Sequence, residues 1–488
     1  MRRQVSALIG VLTLSLALGG CGTRMSEDAI EAADGTAAMR AAAAAPVHAS
    51  ASLPAERDVA APPTTGGGAT GDRPATTTAA GTTTAAAPAA RRDRPAPEMF
   101  SPVQAGAASP CTTALAPVVI GQTAPSSGII GASNFNMRTG LALWLRDVNA
   151  RGGVQCHPVQ LYQMDDAADP ARVTSNLNEL VHNKKAIAIV GAGVPTTFAA
   201  AKRFAEQHEV PFVGGDLIEA PWFSSPWFFP QGGGPLAAYA GAMKEAARAA
   251  RSDRIGLVYC VEASICGQIN ANFEAMAKAS RLQVVLRKIS SITSPDYTAE
   301  CQALKSAGAD AVFVALEGSG NARFARSCLS LGYTPAVATS ALAVTAEAAL
   351  DPNVRRLGAF LGAGNVPFLA TEGVGVRAFR AAYERFAPGT SIDQNTISQY
   401  TSGRLFEQAF ANVATQARAG ALTRGLLLEG LWQVRNETLD GLAPRITFHR
   451  EAPPSPNDCY GLLHLTNTGY TAPSGGRFTC LSGLPKGF

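Results

Sequence analysis

The chain has 488 residues, 47% hydrophobic and 16% charged, which is apolar material for two or three domain-sized cores. Fibrous and wholly disordered chains are excluded by that balance. Its 41 basic and 37 acidic residues leave a formal charge of +4 with no Lys/Arg block, so no nucleic-acid partner is expected.

The first element is an export signal. Arg2 and Arg3 form a basic n-region, residues 5–18 an apolar h-region, and Leu18-Gly19-Gly20-Cys21 a small-residue cleavage site. The apolar run is too short and too early for an ordinary membrane span. The Leu-Gly-Gly-Cys spacing resembles the bacterial lipobox, whose thiol is acylated and becomes the first mature residue, here Cys21. The alternative is an ordinary secretory signal with an incidental Cys. Two or three acyl chains hold far more firmly than one, each buried methylene contributing roughly 0.8 kcal/mol. The expected location is therefore extracytoplasmic, at a membrane reached through a lipid anchor. Residues 22–109 are rich in Ala, Thr, Pro and Gly, with no aromatic residue before Phe100, and read as a disordered tether. A flexible coil of about 88 residues reaches on the order of 50 Å.

Eight cysteines remain beyond Cys21: Cys111, Cys156, Cys260, Cys266, Cys301, Cys328, Cys459 and Cys480. An even number outside the membrane suggests disulfides, although eight thiols can pair in about a hundred ways. Neighbouring pairs are expected: Cys111 with Cys156, Cys260 with Cys266, Cys301 with Cys328, Cys459 with Cys480. With no Cys-x-x-Cys and no His-x-x-x-His in the sequence, neither a metal site nor a cofactor is expected.

From Pro117 short β-branched runs alternate with longer amphipathic stretches. A strand is predicted at 118–121 and a helix at 133–150, with Leu141, Leu145 and Val148 on one face and Gly152-Gly153 ending it. A strand at 159–164 precedes Asp169-Pro170, an N-cap and first-turn proline for a helix to Val181. A strand at 186–190, a helix at 196–208 and a strand at 211–213 complete a βαβαβαβ order. The order restarts with helix 236–250, strand 254–259, helix 267–280, strand 283–289, a helix capped by Ser294-Pro295 and running to Ala307, strand 311–316, helix 322–331 and strand 336–339. Helices at 373–386 and 395–417 and short strands near 445–449 and 460–465 supplement them. The pattern implies an α/β fold of two doubly wound parallel-sheet lobes. The lobes are expected at 110–235 plus about 365–435, and at 236–364 plus about 436–488. A cleft between such lobes is the default ligand site.

The stretch 120–339 resembles the extracytoplasmic substrate-binding proteins of ABC transporters in the branched-chain amino acid family, with a type I periplasmic-binding-protein fold. The opening IGQTAPSSGIIGASNFNMRTGLALWLRDVNARGGV is similar to that family's first strand, ligand loop and helix ending in Asn-x-x-Gly-Gly. LYQMDDAADPARV, IAIVGAGVPTTFAAAKRFAEQHEVPFV and SPDYTAECQALKSAGADAVFVAL follow in the family's order. The resemblance implies a hinged trap for a small-molecule ligand that delivers it to an ABC permease, without catalysis. A monomer is expected. By register, ligand contacts fall on Ser133 and Asn134, on Asp216 and Leu217, on Cys266 where the family is usually aromatic, on Leu316 or Glu317, and near Ser340 where it has an ammonium-binding acid. The last three depart from the pattern and put an α-amino acid ligand in doubt, with Glu317 or Asp216 left as partners for its ammonium group and an amide or another small carboxylate standing beside it.

The residues themselves add a turn. Gly191-Ala192-Gly193-Val194-Pro195-Thr196-Thr197 lies between a strand and a helix, so free N–H groups and two hydroxyls face the cleft and suit a carboxylate. A plain structural cap is the alternative. Asp165-Asp166 points to opposite faces of a strand and is read as structural, and Trp222, Phe223, Trp227, Phe228 and Phe229 as packing. A ligand-sensing lipoprotein is the rival function. An exported hydrolase would need a Gly-x-Ser-x-Gly elbow, which the sequence lacks.

Overall fold

The structure, a computed structural model, describes residues 111–128 and 130–485. The export signal, Cys21 and the tether lie outside the described residues. In chain order the first elements are β1 (Val118–Thr123), α1 (Gly131–Ala150), β2 (Val159–Met164), α2 (Pro170–Asn178), β3 (Ile189–Ala192), α3 (Phe198–His208), β4 (Phe212–Gly215) and β5 (Phe228–Phe229). The five strands form one parallel sheet in the order β2-β1-β3-β4-β5. β3 and β4 are buried along their whole length, as strands covered on both faces must be. α2 begins where the Asp169 carboxylate accepts the Arg172 N–H and Pro170 occupies the first turn.

The second lobe runs through α4 (Pro235–Ala250), β6 (Arg254–Cys260), α5 (Ser264–Ala279), β7 (Gln283–Ser290), α6 (Thr298–Ser306), β8 (Ala311–Ala315), α7 (Gly318–Ser330), β9 (Ala336–Ser340), α8 (Pro352–Leu357) and β10 (Ala359–Ala363). α9 (Val374–Phe386), α10 (Gln394–Asn412), α11 (Ala414–Ala419) and α12 (Arg424–Leu431) follow, then β11 (Cys459–Thr466), β12 (Gly469–Thr471) and β13 (Thr479–Cys480). The second sheet has the order β12-β11-β10-β9-β8-β6-β7, with β13 on β11. It is parallel from β10 to β7, and β11 joins β10 antiparallel. α9 and α10 return to the first lobe, where α10 packs on α1, β3 and β4.

Three chain passes lie side by side between the lobes. The Gly233 N–H donates to the Gly364 carbonyl at 2.8 Å and the Gly234 N–H to the Asn457 carbonyl at 2.9 Å, while the Asn365 amide donates to the Gln231 carbonyl at 2.8 Å. A Cβ on Gly233 would lie 2.2 Å from the Cys459 carbonyl oxygen, so the crossing closes only around glycine. Disulfides join Cys111–Cys156, Cys260–Cys266, Cys301–Cys328 and Cys459–Cys480, the neighbouring pairs.

Several predicted boundaries move. The strand expected at 186–190 is β3, Ile189–Ala192; the Ala186 N–H bonds back to Leu180 of the preceding turn, while Ile187 and Ala188 already bond to Val119 and Gly121 of β1. The helix expected from Ser294-Pro295 begins at Thr298, since the Tyr297 N–H is taken by the Ser327 hydroxyl and Ser294-Pro295 belong to the loop before it. The strand near 445–449 is a single bridge between Glu437 and Ile446. The helix expected over 395–417 breaks between Asn412 and Ala414. Trp222, Phe228, Phe212 and Phe198 pack together at ring-centroid distances of 4.9 to 5.4 Å inside the first lobe. Asp165 binds the Ser126 N–H at 2.8 Å near the surface while Asp166, fully buried, accepts the Thr123 hydroxyl at 2.8 Å, so the two carboxylates serve different loops.

Candidate ligand-binding cleft

Between the lobes lies a cavity of about 120 Å³. Ile130, Ser133, Asn134 and Met137, one face of the first turns of α1, form one wall with Pro195 and Thr196. The opposite wall comes from the Cys260–Cys266 disulfide, Ile265 and Ile269 on α5, Phe313 to Glu317 at the end of β8, and Ser340 with Leu342 after β9. The lining is almost wholly apolar.

The turn before α3 is held from behind. Gly191 adopts φ 64°, a left-handed value that favours glycine, and its carbonyl accepts the Gln122 amide at 2.6 Å. The Asp216 carboxylate accepts the Val194 N–H at 2.6 Å, the Ile218 N–H at 3.2 Å and the Trp222 indole N–H at 3.0 Å. Burial pushes its pKa up to about 6 against the pull of those three donors. The result projects Pro195 and Thr196 into the cavity. The Thr196 and Thr197 hydroxyls are buried with no hydrogen-bond partner in the protein, and Thr197 does not cap α3 with its side chain.

Glu317 lines the cavity, and its carboxylate is engaged by its own helix. Its Oε2 accepts the Ser319 N–H at 2.6 Å and its Oε1 the Gly320 N–H at 2.6 Å, so it is the N-cap of α7. Elsewhere the lobes meet through polar contacts. Ser264 donates to Glu219 Oε1 at 2.8 Å and Gln268 to Oε2 at 3.1 Å, while Tyr239 donates to the Ile218 carbonyl at 2.9 Å. The buried Asp393 carboxylate accepts the Asn136 amide at 3.0 Å and the Ala346 N–H at 3.2 Å from the second lobe. Burial pushes Glu219 up to about 7 and raises Asp393 as well.

Of the residues singled out from the sequence, Ser133, Asn134, Pro195, Thr196, Cys266, Glu317 and Ser340 line the cavity together. Asp216 and Leu217 instead border a smaller recess beside it, which Ser340 shares. Val194 and Thr197 line neither and are buried behind the turn. Sequence reasoning missed Ile130, Met137, Ile265 and Ile269, although their three- and four-residue spacings mark helix faces. It also missed Glu219 and Gln268, whose pairing across 49 positions leaves no local signal.

A sequence profile described as periplasmic binding protein matches residues 117–469, and the chain belongs to that family. The family is one of substrate-binding proteins rather than enzymes, and it implies an extracytoplasmic location. A possible leucine/isoleucine/valine-binding protein from Rhodopirellula baltica superposes with a TM-score of 0.62 at 18% identity, covering 74% of this chain and 97% of its own. A fatty acid ABC transporter substrate-binding protein from Thermomonospora curvata superposes with a TM-score of 0.59 at 17% identity, covering 75% and 92%. At such identities the likeness is one of fold. An amino acid binding protein from Pseudomonas aeruginosa is 38% identical over 80 residues, 16% of this chain and 21% of that protein, so the match spans about a fifth of the relative's length. No helix among the described residues is long and apolar enough to cross a membrane.

Proposed function

We propose that the chain is a lipid-anchored solute-binding protein that closes two lobes over a small molecule and delivers it to an ABC permease. The interlobe cavity carries the reading: both lobes wall it, and Thr196, whose hydroxyl has no partner in the protein, is among its lining residues. Ser133, Asn134, Pro195, Thr196 and Ser340 contact the ligand in this reading, while Asp216 positions the turn through Val194. The lobes comprise 110–235 with about 365–435 and 236–364 with about 436–488; the return of α10 onto α1 and of β11 onto β10 supports that division. Cys21 carries the anchor, and Cys21→Ser moves the protein from the membrane to the soluble fraction.

A thermal-shift panel of amino acids, amides and small carboxylates tests the capture step. A solute that binds only the folded state raises the melting temperature by linkage. At least one member is expected to do so, less strongly in Thr196→Val; a panel without any shift refutes the reading.

A further inference from the structure

The lobes touch at a buried carboxyl that has no cation. Glu219 lies on the loop after β4, and its oxygens accept neutral donors from the other lobe: the Ser264 hydroxyl at 2.8 Å and the Gln268 amide at 3.1 Å, both on α5. The contact is returned, since the Ala220 N–H donates to Gln268 Oε1 at 3.1 Å. Among the described residues no Lys, Arg or His pairs with Glu219.

The groups around it do not supply the missing charge. Asp216 on its own loop opposes ionisation, and Tyr239 on α4 donates to the Ile218 carbonyl. The turn Ala220–Phe223 that follows carries no titratable side chain. On α5 the side chains that meet the carboxyl are Ser264 and Gln268, and Glu262 on the loop before that helix turns instead to the Ile292 N–H at 3.2 Å. A carboxylate buried without a counter-ion is costly. A protonated one fits: it keeps an acceptor oxygen for Gln268 and gains a donor that the Ser264 hydroxyl can take. Burial accordingly lifts the group to about 7.

Parting the lobes removes Ser264 and Gln268 together and returns the carboxyl to water, where it ionises near its ordinary 4.5. The touching lobes therefore hold the proton more tightly than the parted ones. By linkage their contact is favoured in full below pH 4.5 and that advantage is lost as pH rises through about 7. Asp393, the other buried carboxyl at the boundary, is placed differently. It caps α10 through the Asn395 N–H at 3.0 Å as well as accepting the Ala346 N–H, so backbone donors of its own helix meet its charge.

We infer that Glu219 is a proton-operated latch between the lobes: protonated, it lets them stay closed over a solute, and its ionisation opens them. The latch rests on the solute-capture reading and adds its regulation, with capture favoured in acidic surroundings and release in alkaline ones.

Hydrogen exchange of the full chain, with no solute added, reads the latch. Two amides far apart in sequence cross the boundary, Ala220 to Gln268 and Ala346 to Asp393. Corrected for intrinsic rates, protection of both is expected to fall together at least about fivefold between about pH 5.5 and about pH 8.5. Glu219→Gln copies the uncharged carboxyl and is expected to change less than about twofold over that range. Melting curves at both pH values report folding. Loss at Ala220 alone is local fraying and overturns the latch, as does an equal loss in parent and variant. Should Glu219→Gln fail to fold, Gln268→Ala is read at Ala346: exchange at the lower pH as fast as the parent's at the higher one is expected, and parent-like protection overturns the latch. These outcomes leave solute capture untouched, because the thermal panel decides it separately.

Discussion

Glu219 on the first lobe and Gln268 on α5 of the second interlock across the cleft. The Gln268 amide donates to Glu219 Oε2 at 3.1 Å, and the Ala220 N–H beside Glu219 donates back to Gln268 Oε1 at 3.1 Å. That interlobe contact is thereby tied to a carboxyl that is 2% exposed and that burial pushes from 4.5 to about 7. A raised folded-state pKa means that the protonated form is the favoured one. The stability owed to Glu219 is fully present below pH 4.5 and is lost as pH rises through about 7. Glu219→Gln keeps an acceptor for Ser264 and carries no charge at any pH. Its melting temperature is expected to fall less than the parent's between pH 4.5 and about 7, with a residual slope from Asp166 and Asp216, both raised to about 6. Equal slopes in circular-dichroism melts would refute the assignment.

Asp216 serves the cavity at one remove. Asp216→Ala strands the buried Val194 N–H and the Trp222 indole N–H, and each lost partner costs about 1–3 kcal/mol. Denaturant unfolding is expected to show the loss, and ligand affinity to drop with it because Pro195 and Thr196 lose their support. An affinity unchanged in the destabilised variant would separate the turn from binding.

Thr197 offers a contrast with its neighbour. It is 2% exposed, its hydroxyl has no partner, and it does not line the cavity. Thr197→Val removes a buried polar atom that bonds to nothing in the protein, so a gain of about 1 kcal/mol with unchanged ligand affinity is expected. A loss of affinity as large as that of Thr196→Val would show that both hydroxyls reach the ligand.

The disulfides divide between stability and binding. Cys111–Cys156 spans a sequence separation of 45 and Cys260–Cys266 one of 6. Loop entropy then predicts losses of about 4 and about 2 kcal/mol on paired serine substitution. Ligand affinity is expected to follow the reverse order, since only the second pair lines the cavity. Chemical denaturation and titration calorimetry on the two double variants check both orders.

The alternation of strands and helices was legible because buried parallel strands read as apolar runs and their helices carry three- and four-residue periodicity. Asp169-Pro170 marked the start of α2 for a local reason, and the capping geometry follows it. α10 shows where such reading stops. Gln394, Asn395, Thr396, Ser398, Gln399, Thr401 and Ser402 are all buried, on a helix whose composition suggests a wet face. Their partners lie far along the chain: Gln394 bonds the Val366 carbonyl and the Phe368 N–H, Asn395 the Ser133 carbonyl, and Ser398 the Asn365 amide oxygen. No local pattern encodes such ties. Glu317 at the cleft is the opposite case: its partners are Ser319 and Gly320, two and three residues on, a local cap that the reading of it as a ligand contact passed over.

The bridge between Cys260 and Cys266 gives the cavity a timetable. Wherever thiols are kept reduced, that stretch of wall is not yet cross-linked, and a newly made chain carries an unfinished trap. Oxidation closes that stretch of wall, which fits the extracytoplasmic location that the family implies.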